Sequence, residues 1–353
     1  MQVEKLQVDI DQFKPTMKNV GYFDDIPLEA TVVSAKLDGE FTILYHDNDS
    51  TFIVNRYGKA RKNFPAVNEA REILTRSGLN KAIFKLEHYA MGPDGHPLKA
   101  WDFNHIVKSV PEQITQLRFA FFDIVALRGL KPTMSYSEKL DLLKTLFTDA
   151  EYCHVVPYIE PSSTADVVEF WDIFVEKMGY EGIIVNAGST TQKEGKFFKK
   201  KPIQDVDVVI LGINKKPKFS EQLVTSLKIG VMDEDGDFIV VGDVSSGITK
   251  ALRSYFWKLT QLEVKCTVWG SDQPYMPDKV LWIKPAIVAA VKYQEKIEKT
   301  SKGNPIGKDK IRFDGTQYIK TAERTYYSLR HPRFEGVRGD KKVQFIDIPA
   351  SQL

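Results

Sequence analysis

Two glutamates stand alone at or within apolar segments of strand character, and they constrain how the chain can fold. Glu87 lies in the segment 84–89, and Glu181 precedes the apolar run 182–185. Burial of a carboxylate is costly unless the group is paired or meets a cation. A salt bridge within the sheet would remove this cost. A magnesium ion shared with phosphate oxygens would also remove it, because Mg²⁺ usually takes one or two carboxylates plus substrate phosphates.

Composition limits the class of protein. The 353 residues are 42% hydrophobic and 27% charged, which is typical of a soluble globular protein with two domains. A formal net charge of +2 excludes the strongly basic profile of a protein that coats nucleic acid. Cys153 and Cys266 lie far apart, so neither a disulfide framework nor a zinc site is predicted. Because no long apolar run and no export signal are present, we expect the protein to stay where it is made.

The first half of the chain alternates strands and helices. Strands are predicted at 32–35, 41–46, 51–54, 83–89, 118–127 and 182–186. Helical spacing of apolar residues predicts a helix over 65–77, and a capping box at Ser135 and Glu138 predicts a second one. A third helix is predicted over 164–178. This order indicates an α+β domain with antiparallel sheets and flanking helices.

The pattern changes near Pro202–Val206 to short strands separated by turn residues. Strands are predicted at 206–213, 223–232, 237–244, 262–269 and 280–283, with a helix over 249–259, a helix or strand over 286–297 and a polar loop over 299–310. About five strands with one interposed helix are typical of the small β-barrel of the oligonucleotide-binding (OB) fold. We therefore predict two domains, 1–204 and 205–353.

Lys36 is the residue most suited to nucleophilic chemistry. It follows the apolar run 31–35 and opens Lys36-Leu37-Asp38-Gly39, which alone fits a strand end and an Asp-Gly turn. A lysine amine is protonated near neutral pH, so a reactive lysine needs nearby cations or a metal ion to lower its pKa. Lys199 and Lys201 have the spacing that places both side chains on one face of a strand. We predict that they ease deprotonation of Lys36 and bind an α-phosphate.

Several weaker signals accompany these residues. Phe122 closes an apolar strand and presents a ring that can stack on a purine, although core packing is the ordinary role of a lone phenylalanine. His88, next to Glu87, is expected to pack in the core. The lysine-rich block 193–218 fits phosphate binding and a solvated linker equally well. The segment 328–341 concentrates cations around proline and glycine breaks, which suits a pyrophosphate or a nucleic-acid backbone.

In this order along the chain, the motifs resemble those of the ATP-dependent DNA ligases. The likeness runs from Phe13-Lys14-Pro15-Thr16-Met17 through Asn55-Arg56-Tyr57-Gly58 to Arg338-Gly339-Asp340-Lys341, and so covers nearly the whole chain. It implies a nucleotidyltransferase (adenylation) domain followed by an OB-fold β-barrel domain. Since only 35 residues precede Lys36, we expect a minimal form without a further helical DNA-binding domain.

The resemblance implies roles for residues that act on the phosphates. Lys36 is similar to the lysine that becomes adenylylated, and Lys199 and Lys201 are similar to the lysines that bind the α-phosphate. The family's closing motif is implied to orient the pyrophosphate in the first step and is matched by Arg338, Asp340 and Lys341.

Other residues are implied to hold the nucleoside. Glu87 resembles the glutamate that binds the ribose, and Phe122 resembles the aromatic residue that stacks on adenine. Arg56 is similar to the arginine near the ribose or the nick phosphate. Ser34 and Ala35, just before the lysine, are expected beside the nucleotide.

The resemblance also implies a metal ion. Glu181 is similar to the metal-linked carboxylate of the family, and Glu87 and Asp38 are the further predicted ligands. The expected ion is Mg²⁺, with Mn²⁺ as a substitute.

The chain departs from the family pattern at three positions. Phe41 stands where family members commonly have an arginine, which puts that contact to the 5′-phosphate in doubt. Asn186 replaces a usual lysine or arginine, and Ser34 replaces a frequent acidic residue while keeping a hydroxyl that can hydrogen-bond adenine.

The sequence is therefore interpreted as an ATP-dependent DNA ligase that seals nicks in double-stranded DNA. We expect a monomer without membrane association, in the cytoplasm with nucleoid or viral DNA, acting in replication, repair or recombination. An RNA ligase and an mRNA-capping guanylyltransferase share the lysine chemistry and stay open as alternatives. A nucleic-acid-binding module with an inactive transferase domain is a third alternative, and it predicts no covalent nucleotide.

Overall fold

The computed structural model describes residues 2–343 apart from 6–9, 30, 49, 110, 189–195, 216–223, 260–263, 267–279 and 301. The chain divides into two compact units, Met1–Pro202 (unit 1) and Ile203–Leu353 (unit 2). Within the described ranges, no helix is both long enough and apolar enough to cross a membrane.

Unit 1 contains twelve described strands and four α-helices. The strands are β1 Gln2–Lys5, β2 Met17–Asn19, β3 Thr31–Lys36, β4 Glu40–Asp47, β5 Thr51–Asn55, β6 Lys59–Lys62, β7 Lys81–Ala90, β8 Leu117–Leu127, β9 Cys153–Val155, β10 Tyr158–Ile159, β11 Gly182–Ala187 and β12 Lys196–Lys200. The helices are α1 Pro65–Arg76, α2 Ala100–Ser109, α3 Tyr136–Leu146 and α4 Thr164–Trp171, with a π-helix over Asp172–Lys177 and 3₁₀ turns at Asp11–Phe13, Phe23–Asp25 and Pro111–Gln116.

The strands of unit 1 form two sheets. A seven-stranded sheet has the order β1-β6-β5-β4-β7-β8-β9, and a five-stranded sheet has the order β10-β3-β11-β12-β2. Most neighbours are antiparallel, whereas β8 with β9 and β12 with β2 are parallel pairs. One hydrophobic core joins the two sheets, with Val33 and Ile183 from one and Leu86 and Phe121 from the other. The motif strands β3, β7, β8, β11 and β12 thus belong to two sheets that share a core.

The predicted elements of unit 1 are confirmed with shifts of a few residues. The capping box is present, since Ser135 accepts from the Glu138 backbone and Glu138 accepts from the Ser135 backbone. The helix predicted over 164–178 differs in form, because its α-helical part ends at Trp171 and a π-helix follows. His88 is fully buried and packs against the rings of Phe64, Phe103 and Phe119, as expected.

A buried charge triad lies in the core of unit 1. Asp123 is 2% exposed and pairs with Lys85 at 2.9 Å and with Lys139 at 3.0 Å. Removing one partner of a buried ion pair leaves an uncompensated charge, so such groups are structurally sensitive. The triad joins β7, β8 and α3 next to Phe122.

Unit 2 contains eleven described strands and one α-helix. The elements are β13 Gln204–Lys215, β14 Val224–Met232, β15 Phe238–Val244, α5 Lys250–Lys258, β16 Lys265–Cys266, β17 Val280–Trp282, β18 Val288–Tyr293, β19 Glu295–Ile297, β20 Gly307–Phe313, β21 Gln317–Thr325, β22 Ser328–Arg330 and β23 Arg333–Val337. The α+β class is therefore confirmed for the chain. Residues 286–297, predicted as helix or strand, contain β18 and β19.

The main sheet of unit 2 has the order β16-β21-β20-β15-β14-β13-β18-β23, with β17 also paired to β13. Across the described residues this sheet does not close into a barrel. One backbone hydrogen bond, from Val264 N to Trp282 O at 2.8 Å, connects the segment before β16 to β17. Within the predicted strand over 262–269, the structure has β16 at Lys265–Cys266. Residues 262–263 and 267–269 lie outside the described residues. The prediction of a loop over 299–310 is wrong for its last residues, because β20 begins at Gly307.

Candidate active site

Lys36 and Glu181 are brought together by the pairing of β3 with β11. The Glu181 backbone N donates to Lys36 O at 2.8 Å, and Gly182 lies opposite Lys36 in the register. Lys36 Nζ forms an ion pair with Glu181 Oε2, and Lys201 Nζ forms one with Glu181 Oε1. The side chains of Lys36, Glu181 and Lys201 are 24%, 12% and 16% exposed. The structure therefore places both lysine ammonium groups on one carboxylate at the edge of solvent.

The glycines that follow Asp38 and Glu181 allow close backbone approach. A Cβ at Gly39 would lie 2.4 Å from His88 O and 3.1 Å from Glu87 Cγ. A Cβ at Gly182, whose φ is +153°, would lie 2.1 Å from Lys200 O. Glycine is required where the backbone must pass this close to a neighbour. Both motifs thus need glycine so that β7 and β12 can lie beside the lysine.

Glu87 and Asp38 lie beside this group of charges and have their own partners. Gly39 N donates to Glu87 Oε1 at 3.1 Å. Ala100 N, at the start of α2, donates to Asp38 Oδ2 at 2.9 Å. Asp38 therefore holds the first turn of α2, a role that a carboxylate at a helix N-terminus performs well.

The environment raises the pKa of Lys36. Burial opposes the ammonium charge, but the carboxylates of Glu181, Glu87 and Asp38 outweigh that effect. The net direction is thus opposite to the lowered pKa that a nucleophilic lysine needs, because Glu181 pairs with both Lys36 and Lys201. The predicted role of Lys199 and Lys201 in easing deprotonation of Lys36 stays a prediction. Burial and the charges of Lys201 and Lys36 lower the pKa of Lys199.

The pKa values of Glu87 and Glu181 are shifted in opposite directions. Burial, followed by the charges of Glu181 and Asp38, raises the pKa of Glu87 to about 7, although Lys36 and the Gly39 N–H oppose the rise. For Glu181, burial alone would raise the pKa, and the cations Lys36 and Lys201 reverse that effect and lower it. Two carboxylates near one lysine with separated pKa values are typical of a functional site.

The predicted nucleoside residues lie at different depths in unit 1. Ser34 is buried two residues before Lys36, and its hydroxyl is hydrogen-bonded to Tyr136. Ala35 N donates to Pro157 O at 2.9 Å. Phe122 is partly buried on β8. Arg56 lies in the exposed turn after β5 with its guanidinium 4.7 Å from the centre of the Tyr57 ring, and among the described residues it has no ion pair with Glu87 or Glu181.

The closing motif belongs to unit 2 and is held by a residue that sequence reasoning missed. Arg338 Nη1 lies 3.1 Å from Asp207 Oδ1, and Lys341 Nζ lies 2.7 Å from Asp207 Oδ2. Arg338 also donates to both oxygens of Asp340, at 2.9 and 2.6 Å, and lowers the pKa of Asp340 to about 2. The signal for Asp207 was its position as an isolated carboxylate in the apolar strand 206–213.

A metal ion fits this site only with help from a substrate. Among the described residues, no three His, Cys, Asp or Glu side chains are grouped so that they could hold a metal ion. Glu181 and Glu87 are carboxylates beside Lys36. One carboxylate oxygen of Asp38 accepts a hydrogen bond from Ala100 N at the start of α2. Mg²⁺ commonly uses one or two carboxylates and takes its other ligands from phosphates and water. The residues present therefore suit a two-carboxylate site completed by a bound triphosphate.

Two family models match the chain. The ATP dependent DNA ligase domain matches residues 15–201, and the ATP dependent DNA ligase C terminal region matches residues 220–341. The chain belongs to the ATP-dependent DNA ligases. The resemblance read from the motifs is thereby confirmed.

Relatives agree with this family. A DNA ligase of Natronomonas pharaonis is 26% identical over 331 residues, which cover 89% of this chain and 53% of the relative. The chain thus spans about half the length of the curated relatives that it matches. Among solved structures, Pmar-Lig_Pre has a TM-score of 0.64 at 14% identity, covering 92% of this chain and 67% of that chain. A Lig E DNA ligase has a TM-score of 0.53 at 18% identity, covering 92% and 98%. These two structures share the ligase fold with this chain.

Proposed function

We propose that this chain is an ATP-dependent DNA ligase that seals nicks between a 3′-hydroxyl and a 5′-phosphate in double-stranded DNA. The observation that carries the proposal is the grouping of Lys36, Glu181 and Lys201 in a chain of this family. Residues 1–204 form the adenylation domain and residues 205–353 form the OB-fold domain. The enzyme works as a cytoplasmic monomer on nucleoid or viral DNA.

The reaction runs in three transfers. The Lys36 amine loses a proton and attacks the α-phosphorus of ATP, forming a phosphoramidate with AMP while pyrophosphate leaves. The AMP is then passed to the 5′-phosphate of the nick, which frees the lysine. The 3′-hydroxyl finally attacks the activated 5′-phosphate and releases AMP. Each transfer depends chiefly on positioning and on stabilisation of charge.

Residues of this chain supply the charge stabilisation. Lys199 and Lys201, on and just after β12, neutralise the α-phosphate as negative charge develops. Mg²⁺, held through Glu181 and Glu87, would screen the triphosphate and favour departure of pyrophosphate. Because Glu181 pairs with Lys36 and raises its pKa, release of Glu181 from the ammonium would ease deprotonation. The nucleoside is held by Ser34, Ala35, Glu87 and Phe122. Arg56 contacts the ribose or the phosphate of the nick.

The direct test is sealing of a duplex with one labelled nick, run in parallel with nicked DNA–RNA hybrids and single-stranded RNA. We expect ATP-dependent joining of the nicked DNA and covalent labelling of the protein by α-labelled ATP. Labelling by GTP in preference to ATP would favour a capping enzyme, and joining of single-stranded RNA alone would favour an RNA ligase. Absence of any covalent nucleotide would exclude the DNA ligase, the RNA ligase and the capping enzyme alike.

Replacement of Arg338 by alanine should separate the first step from the last. Because the closing motif is proposed to orient pyrophosphate, we expect Arg338→Ala to slow self-adenylylation by about 10- to 100-fold, the cost of removing a charged contact in a transition state. Sealing of a nick that already carries the 5′-adenylate should stay within about twofold of wild type. The exposed Lys258→Ala variant on α5 serves as the matched control for unit 2. Equal losses in both assays would contradict the step-specific role.

A further inference from the structure

The ring of Phe41 packs on the ring of Phe122, the residue proposed to stack on adenine. The two ring centroids lie 6.0 Å apart and the ring planes are inclined by 37°. This separation lies within the range of favourable aromatic pairs. Phe41 is also one of the positions at which the chain departs from the family pattern. The contact therefore links that departure to the nucleoside site.

A β-bulge explains why Phe122 can meet Phe41. In the pairing of β7 with β8, Lys85 lies opposite Asp123 and Leu86 lies opposite Phe121, so Phe122 is the extra residue without a partner in the ladder. A bulge redirects the side chain of the extra residue and is frequent next to active sites. The main-chain ladder thus does not fix the Phe122 ring as it would in a regular strand.

Phe41 is itself held firmly. It lies opposite Glu87 in the pairing of β4 with β7, so both side chains lie on the same sheet face. Phe41 also packs on a second small core, named here the Ile10 cluster, whose buried members are Ile10, Ile43, Val54 and Ala60. The other partly buried residues that pack on it are Phe13, Tyr45, Phe52 and Ile83. Phe41 thus connects the Ile10 cluster to the ring of Phe122, which is the extra residue of the β-bulge.

We infer that Phe41 is a positioning residue that fixes the ring of Phe122 in the orientation that stacks on adenine. This inference rests on the proposed function. Phe41 acts on the base through Phe122, and a side chain without a ring at position 41 leaves the bulged ring free to rotate. Adenine binding then costs the entropy of ordering that ring. The effect falls on nucleotide binding, since Phe41 has no part in the proton or phosphoryl transfer.

The test is the ATP dependence of self-adenylylation in Phe41→Ala. We expect the half-saturating ATP concentration to rise by about threefold to tenfold, as the loss of an aromatic pair predicts, while the maximal labelling rate stays within about twofold. Phe41→Tyr should restore the wild-type value. Phe52→Ala is the matched control, because Phe52 packs on the same Ile10 cluster and stacks on Tyr45 with centroids 5.5 Å apart. This control should lower the melting temperature as Phe41→Ala does and leave the ATP dependence unchanged.

The double variant Phe41→Ala/Phe122→Ala shows whether Phe41 acts through Phe122. We expect it to match Phe122→Ala alone, because contacting residues that act as a unit are not additive. An unchanged half-saturating concentration in Phe41→Ala, an equal rise in Phe52→Ala, or additive effects in the double variant would overturn the inference. Absence of labelling in the wild type would instead overturn the proposed function.

Discussion

Replacement of Lys36 by alanine should abolish the covalent transfer of AMP to the protein. The amine of Lys36 is proposed as the only atom that attacks the α-phosphorus, and its pairing with Glu181 holds it beside the proposed metal carboxylate. Without the nucleophile, residual reaction would need water or another lysine that is not positioned for in-line attack. We expect the labelling rate to fall by about three orders of magnitude or more.

The measurement is label from α-labelled ATP that stays on the protein after denaturing gel separation and is stable to alkali and labile to acid, as a phosphoramidate is, followed by mapping of the labelled peptide. Lys36→Arg should fail as well, because a guanidinium stays protonated. Lys144→Ala, which removes an exposed lysine on α3, should label like wild type. Retention of label in Lys36→Ala, or a labelled peptide that lacks residue 36, would exclude this lysine as the nucleophile.

The strands listed from the sequence correspond to six of the twelve described strands of unit 1, and the predicted helices correspond to three of its four α-helices, because the patterns of these elements are long or clearly periodic. β8 is a long, mostly apolar run, β7 is rich in apolar and aromatic residues, and α1 and α3 carry amphipathic spacing or a capping box. The hairpin β20–β21 was missed for a physical reason. β20 reads Gly-Lys-Asp-Lys-Ile-Arg-Phe and has one buried residue, Ile311, so no apolar alternation marks it. Cross-strand contacts such as Lys320 with Asp309 stabilise it instead.

The sequence indicated which residues are candidates for the site, but it did not predict the electrostatic interactions between them. Two-residue spacing placed Lys199 and Lys201 on one strand face, yet spacing alone does not show which carboxylate lies between a lysine and its neighbours. The carboxylates of Glu181, Glu87 and Asp38 raise the pKa of Lys36 although burial opposes the rise, and this net direction was not predicted from spacing. Asp207 was missed for the same reason, since its partners Arg338 and Lys341 lie more than 100 residues along the chain.

Replacement of Glu181 by glutamine should separate the basicity of Lys36 from its reactivity with ATP. In the wild type, burial disfavours the ammonium, and the charge of Glu181 is the largest of the effects that raise the pKa of Lys36. Glutamine removes that charge while Lys199 and Lys201 stay nearby, so the pKa of Lys36 should fall. The neutral amine would then be more abundant at pH 8 in the variant than in the wild type.

Labelling by ATP should nevertheless fall by about 100-fold in Glu181→Gln, because an amide neither holds both lysines nor serves well as a ligand for Mg²⁺. Acetylation of Lys36 by a small reagent, followed by mass spectrometry across pH, reports the amine alone and should shift to lower pH. Glu169→Gln, at an exposed position on α4, controls for loss of a surface charge. Faster labelling by ATP together with the lower pKa would mean that deprotonation limits the first step and that Glu181 restrains the lysine rather than assisting the transfer. A joint fall in pKa and labelling would assign to Glu181 a role at the phosphates that proton removal does not replace.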